Sequence, residues 1–198
     1  MWAYKIERYN MADFITLSEV KTYGGINSNN QDTEIKFLIP KVCNLIRNYI
    51  GRTLIDYYRN EKVEVYRGGK PYLSVTEVPI NEITSVEWST DAGKTYTELV
   101  EFEDWTRNLE YDNIEVLQQD VFPPYVNGYR ITYTGGYATV PEDLKLAALD
   151  LVVFYQRSDM AVKSARSAGS NNAQIEYVMN STLPSHIRRV LDLYRLEL

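Results

Sequence analysis

One cysteine and one histidine in 198 residues leave this chain nearly without the side chains that build disulfides, metal centres or nucleophile–base pairs. Cys43 alone cannot close an intramolecular disulfide, and it sits in an apolar helical stripe where a free thiol packs as a small hydrophobe. His186 has no cysteine or second histidine near it to complete a zinc site, so an exposed position is expected. No G-x-S-x-G nucleophile turn occurs. Gly93-Lys94-Thr95 imitates the end of a phosphate-binding loop, but Trp88 stands where the first glycine is required. These gaps leave no catalytic, cofactor-binding or metal-ligating residue to assign, and no enzymatic activity is expected.

Long apolar runs are missing too. Nothing in the sequence is long enough to span a bilayer, and the opening MWAYKIERYN lacks the apolar core of a signal peptide. No membrane partner is expected, and the host cytoplasm is the expected place of synthesis. Asn180-Ser181-Thr182 matches a glycosylation sequon that has no meaning without secretion. Basic excess is also absent: 21 Lys and Arg face 27 Asp and Glu, for a net charge of −6. A protein that grips phosphates normally shows the reverse, because its affinity comes from cations displacing counterions. The 17 tyrosines are scattered without an interleaved basic patch, which suits core and interface filling better than base stacking.

What is present is a regular order of elements. Residues 1–14 are polar and aromatic without a clear period and read as an extended arm. Thr16-Leu17-Ser18-Glu19 has the form of a capping box, opening a helix that Gly24-Gly25 should stop. Asp32 is the expected N-cap of a second helix burying Ile35, Leu38, Ile39, Val42, Leu45, Ile46, Tyr49 and Ile50, with Gly51 as its C-terminal stop. Pro40 lies inside it, where loss of a backbone bond should kink the helix. Residues 61–134 read as β, including a hairpin turned by Asp91-Ala92-Gly93-Lys94. The strand at Tyr129–Thr134 alternates Tyr129, Ile131 and Tyr133 against Arg130, Thr132 and Thr134, and Gly135-Gly136 ends it. Pro141, Glu142 and Asp143 then open a helix that is apolar nearly all round. Leu144, Ala148, Leu151, Val152 and Tyr155 form one stripe, and Leu146, Leu149 and Val153 another. Such a helix should be buried on several sides.

The order of the strand, Thr134-Gly135-Gly136-Tyr137, and Val140–Leu149 (VPEDLKLAAL) before an apolar helix resembles the head–tail connector proteins of tailed bacteriophages, which are adaptor or head-completion proteins. The opening Ile15–Ile26 and Asp32–Leu54, and the closing Leu183–Arg195, are similar to the family's first and last helices. The resemblance covers about residues 15–157 and 183–195, and Pro40 departs from the family pattern. It implies an α+β fold: a bundle of about four helices with a small antiparallel sheet inserted between the second helix and the long apolar helix. The expected divisions of this single domain are an arm at 1–14, a helical pair at 15–54, a β region at 61–134, a buried helix at 140–157, a flexible segment at 158–182 and a C-terminal helix at 183–198.

The implied function is structural. Many copies, expected to be dodecameric, would form a ring below the portal, joining the DNA-filled head to the tail and continuing the DNA channel within the virion. The implied partners are further copies of itself, the portal protein, and the tail or next head-completion protein, with DNA passing through unbound. Candidate contacts to a neighbouring subunit or the portal are Leu144, Ala148, Leu151, Val152, Tyr155, Ile187, Val190, Leu191 and Tyr194. An acidic run from Glu98 to Asp120, opposed only by Arg107, reads either as a solvated loop or as a channel wall formed by Glu101, Glu103, Asp104, Glu110 and Asp112, whose charge would keep passing phosphates from sticking. The Ser-, Ala- and Asn-rich stretch 158–182 reads either as a tether delivering the last helix to a partner or as a long internal loop. A second function class, a DNA-binding or DNA-packaging accessory protein, would rest on Arg157, Lys163 and Arg166.

Overall fold

The computed structural model describes residues 13–165 and 183–196, with side chains for all but 158–165. Four helices and seven strands follow the order α1 (Leu17–Gly24), α2 (Asp32–Ile50), β1 (Lys62–Tyr66), β2 (Tyr72–Leu73), β3 (Ile80–Trp88), β4 (Thr97–Glu98), β5 (Trp105–Asn108), β6 (Asn113–Val116), β7 (Tyr129–Gly135), α3 (Glu142–Ala165) and α4 (Ser185–Asp192). The architecture is α+β. It divides into a sheet unit, residues 52–139, and a helical unit drawn from residues on either side of it.

In the helical unit, the capping box is formed as its spacing requires. The Glu19 amide donates to Thr16 Oγ1 at 3.3 Å, and the Thr16 amide donates to Glu19 Oε2 at 2.7 Å. Gly25 closes α1 in the left-handed conformation at φ 66°, which glycine takes without steric cost. Asp32 is the first helical residue of α2 rather than its N-cap, a place held by Gln31. The Asp32 carboxylate instead bridges Lys21 at 2.8 Å. The helix runs unbroken through Pro40, whose ring stays exposed. Ile35, Ile39, Val42, Cys43, Ile46 and Ile50 are buried, while Leu38, Leu45 and Tyr49 are half-buried. Burial pushes the Cys43 thiol up, and its sulfur accepts from the Phe14 amide.

α3 departs from expectation in length and in covering. It continues to Ala165, beyond the expected end at 157, because alanine, methionine and lysine in 158–165 extend an existing helix at little cost. Its apolar residues are covered on one side: Leu144, Ala147, Ala148, Leu151, Val152 and Val153 are buried, while Leu146 is 49% exposed and Leu149 and Tyr155 are half-buried. α4 is not a tethered binding helix. It packs on α2 and α3 with Ile187 and Leu191 fully covered. The Tyr49 hydroxyl donates to Asp192 and the Tyr194 hydroxyl to Asp143, each at 2.6 Å. The remainder of the 158–182 expectation, from residue 166 onward, and the arm up to residue 12 lie outside the described residues.

The sheet unit holds two antiparallel sheets where one was expected: β1-β7-β3-β4 and β2-β6-β5. Tyr129, Ile131 and Tyr133 of β7 face a common core with Leu73, Val75, Ile80, Val86, Trp105, Ile114 and Phe122. β5 lies within the acidic run, whose charge alone would equally suit a solvated loop. The β3–β4 turn carries left-handed Ala92 and Gly93. The Asp91 carboxylate accepts from the Ser89 and Thr95 hydroxyls and from the Lys94 and Thr95 amides, bonds that hold it well below the usual carboxylate range. Gly135 is required for closeness, since a Cβ there would lie 2.1 Å from the Glu77 carbonyl oxygen.

At the centre of this unit is a fully buried carboxylate, Glu77. It accepts from the Thr53 amide (3.0 Å) and hydroxyl (3.1 Å), the Leu54 amide (3.1 Å) and Lys62 Nζ (3.1 Å). Its own amide donates to the Tyr133 hydroxyl at 3.0 Å. Lys62 also bridges Glu64 at 2.9 Å, and Glu64 accepts from the hydroxyls of Tyr66 and Thr76. Burial would raise the Glu64 carboxyl, but the bonds from Thr76, Tyr66 and Lys62 outweigh it and hold the group below its ordinary value. Burial would likewise lower Lys62, and the two glutamates reverse that.

Glu77→Ala should cost about 3–5 kcal/mol in urea unfolding, because it strands two backbone donors and removes one of the two carboxylates paired with Lys62. Glu64 has a folded pKa below its unfolded value. Its contribution is therefore complete above about pH 4.3 and is lost as pH falls through the folded value. Stability should drop over that acid range, and Glu64→Gln should flatten the drop; an unchanged acid profile in that variant would contradict the assignment.

Candidate assembly surface

The acidic run folds in a way its composition does not suggest. In the turn before β5, Asp104 Oδ2 accepts from the Val100 amide at 2.8 Å, and the Asp104 amide donates back to the Val100 carbonyl at 2.9 Å. The Phe102 amide donates to the Trp105 carbonyl at 2.7 Å, and the Leu117 amide to the Asp104 carbonyl at 2.9 Å. Trp105 is buried, with its indole N–H donating to the Leu99 carbonyl at 3.2 Å. These bonds hold Phe102 at φ 65° with 76% of its surface exposed. A bulky residue in that region costs on the order of 1–2 kcal/mol. The turn directs the Asp104 carboxylate inward and shows its phenyl ring outward.

The other end of the β5–β6 hairpin is built alike. Asn108 Oδ1 accepts from the amides of Glu110 (2.9 Å) and Tyr111 (3.3 Å), and Asn108 Nδ2 donates to Glu115 at 2.7 Å. Asp112, at φ 51°, pairs with Arg107 at 2.6 Å and accepts from the Ile80 amide at 2.7 Å. The tip so anchored presents Leu109 at 81% and Tyr111 at 68% exposure. Exposed apolar side chains this large make the hairpin ends a candidate contact surface.

Of the five acidic candidates, Glu101, Glu103 and Glu110 are exposed, while Asp104 and Asp112 are half-buried and engaged as structural acceptors. Of the nine apolar candidates, Leu144, Ala148, Leu151, Val152, Ile187 and Leu191 are covered within the helical unit, and Tyr155, Val190 and Tyr194 are half-buried. A side chain already covered by its own chain has no apolar area left for a neighbour. Sequence periodicity finds such residues readily; it misses Phe102, Leu109 and Tyr111, which belong to no stripe. Their only sequence signal is an acidic neighbour, on both sides of Phe102 and Tyr111 and on one side of Leu109. On the helical unit, exposed Tyr23 and Leu146 line a groove between α1 and α3, bordered by the Glu19–Lys145 ion pair at 2.5 Å.

The sheet unit also contains an aromatic cleft, lined by Trp88, Leu99, Val116, Phe122 and Tyr129 and edged by Glu98 and Asp104. Phe122 meets Tyr129 edge-on with ring centroids 4.9 Å apart. The Tyr129 hydroxyl is buried and has no hydrogen-bond partner among the described residues. Burial, with nearby Tyr125 adding to it, pushes this phenol up to about 12. His186 is exposed, with Nε2 3.8 Å from Asp150, and Arg157 is exposed. The side chain of Lys163, and Arg166 altogether, lie outside the described residues. No group of metal-ligating side chains occurs among the described residues.

A family model described as "Head completion protein" matches residues 13–196. A curated relative, the head completion protein of Escherichia phage T5, is 26% identical over 189 residues, covering 91% of this chain and 97% of the relative. The fold is similar to that of a chain in the virion of a native gene transfer agent particle, with TM-score 0.54 at 14% identity over 93% of this chain and 91% of that one. It is also similar to a chain in the neck of an empty gene transfer agent particle computed with C6 symmetry, with TM-score 0.52 at 15% identity over 93% and 91% of the two chains.

The exposed and buried aromatics of the turn should behave oppositely on substitution. Phe102→Gly relieves the left-handed strain and should leave stability unchanged or raise it by up to about 1 kcal/mol. Trp105→Ala opens the core and should cost about 3–5 kcal/mol. Urea midpoints of the two variants check both; a large loss from Phe102→Gly would mean that the ring packs within its own chain.

Proposed function

The chain belongs to the head completion protein family, and from that membership we propose that it is a structural protein of the virion neck, acting as a ring that joins the DNA-filled head to the tail. The ring is dodecameric, sits below the portal and continues the DNA channel. Its mechanism is geometric: one face of each copy meets a different face of the next, and the rotation between them closes the ring.

The observation that carries this reading is the pair of rigid apolar tips at the two ends of the β5–β6 hairpin. Asp104, Asn108 and Asp112 beside them are bonded within the chain, which leaves the exposed Phe102, Leu109 and Tyr111 for another molecule to cover. Half-buried Tyr155, Val190 and Tyr194 supply further contact area on the helical unit. Leu144, Ala148, Leu151, Val152, Ile187 and Leu191 serve that unit's own core. Glu110 faces solvent and contributes to the wall past which DNA slides; Glu101 and Glu103 also face solvent, and Asp104 and Asp112 add fixed negative charge behind them.

Purified protein mixed with its portal should give rings visible by negative-stain microscopy. Leu109→Asp combined with Tyr111→Asp should abolish them while leaving the unfolding midpoint within about 0.5 kcal/mol of wild type. Normal rings from that variant would remove the hairpin tip from the interface. The free protein should bind duplex DNA no tighter than roughly 10⁻⁴–10⁻⁶ M at physiological salt; a salt-sensitive submicromolar affinity would turn the reading toward a DNA-binding accessory.

A further inference from the structure

The aromatic cleft of the sheet unit has a feature that a finished core would not leave. Tyr129 is 2% exposed, yet its hydroxyl has no partner among the described residues. A buried hydroxyl left unmatched is costly, so such a group usually meets a donor or acceptor supplied from elsewhere. The hydroxyl can both donate and accept, which suits the carbonyls and amides of an extended backbone. The cleft that Tyr129 lines presents half-buried Trp88, Leu99 and Val116, with the carboxylates of Glu98 and Asp104 also in its lining. Exposed Glu101 and Glu103 belong to the same turn as Asp104. The cleft therefore asks for an extended segment with aromatic side chains and positive charge.

The chain carries one such segment. Residues 1–12 lie outside the described part of the structure and contain Trp2, Tyr4, Ile6 and Tyr9 with Lys5 and Arg8 against a single carboxylate, Glu7. That local positive balance contrasts with −6 for the whole chain. Extended, these residues span up to about 40 Å from Asp13, far enough to leave one subunit and lie on another.

We propose that the aromatic cleft around Tyr129 is the docking site for the N-terminal arm, residues 1–12, of the neighbouring copy in the ring. This rests on the ring reading above: a contact that runs head to tail needs two unlike, complementary surfaces on every chain, and the basic aromatic arm and the acidic aromatic cleft are such a pair. Arm aromatics fill the cleft, arm backbone runs along it past Tyr129, and Lys5 and Arg8 face the carboxylates of the turn.

Disulfide trapping in the full chain tests it, since the only native thiol, Cys43, is buried. Two variants, Tyr4→Cys and Gln119→Cys, are mixed in equal amounts, assembled on portals and oxidised. Gln119 is an exposed residue at the cleft edge. Disulfide-linked dimers joining the two variants are expected, and the double variant should give a ladder of linked copies. Adding Lys5→Glu and Arg8→Glu should lower the yield roughly fivefold, and further adding Glu101→Lys with Glu103→Lys should restore it. Rings that form without intermolecular disulfides, or with only intramolecular ones, overturn arm exchange while leaving the ring intact. Trapping that ignores both charge reversals overturns the recognition assigned to the cleft. Failure of the wild-type protein to form rings at all removes the ring reading, and this proposal with it.

Discussion

The sheet unit depends on one buried carboxylate. A charge with no access to water is tolerated only when it is paired and its lone pairs are filled. Glu77 meets both conditions by collecting the backbone of Thr53 and Leu54, the side chain of Lys62 on β1 and, through its own amide, Tyr133 on β7. Each partner is fixed in turn: Leu54 sits in the left-handed region at φ 77°, and Lys62 is shared with Glu64. Gly135 lies against the Glu77 backbone where no Cβ fits. Gly135, the last residue of β7, thus does more than end a strand. It permits the close approach that keeps the carboxylate covered.

The same economy, with polar groups consumed internally, explains the surface. Asp104, Asn108 and Asp112 sit in an acidic run that would ordinarily be a solvated loop, yet each is an acceptor for backbone within its own hairpin. With those acceptors turned inward, the neighbouring Phe102, Leu109 and Tyr111 point outward. Left-handed backbone at Phe102 and Asp112 stores strain that the surrounding bonds sustain. Strain at an exposed aromatic residue stabilises nothing within the chain, which is why the hairpin reads as a display element for a second molecule.

The helical unit follows a plainer rule. α1, α2 and α4 cover one side of α3 and leave the other to Leu146 and the partly covered Leu149 and Tyr155. The apolar residues of α3 are thus divided between the unit's own core and its surface.

Local physics in the sequence determined the elements that need no distant partner. The capping box at Thr16 and Glu19, the glycine stop at Gly51, the Asp91–Lys94 turn and the alternation of Tyr129, Ile131 and Tyr133 are each set by residues a few positions apart, and family membership was legible in their order. Tertiary structure decided everything that depends on long-range closure. Whether α4 covers its own α2 and α3 or a partner cannot be read from an amphipathic stripe, because a stripe records only that something covers it. Which carboxylates of the acidic run are acceptors and which are surface depends on amides elsewhere in the chain, as Asp112 depends on Ile80. The burial of Glu77 and a Tyr129 hydroxyl without a partner among the described residues are likewise invisible in one dimension, since a polar group's environment is fixed only when the chain folds around it.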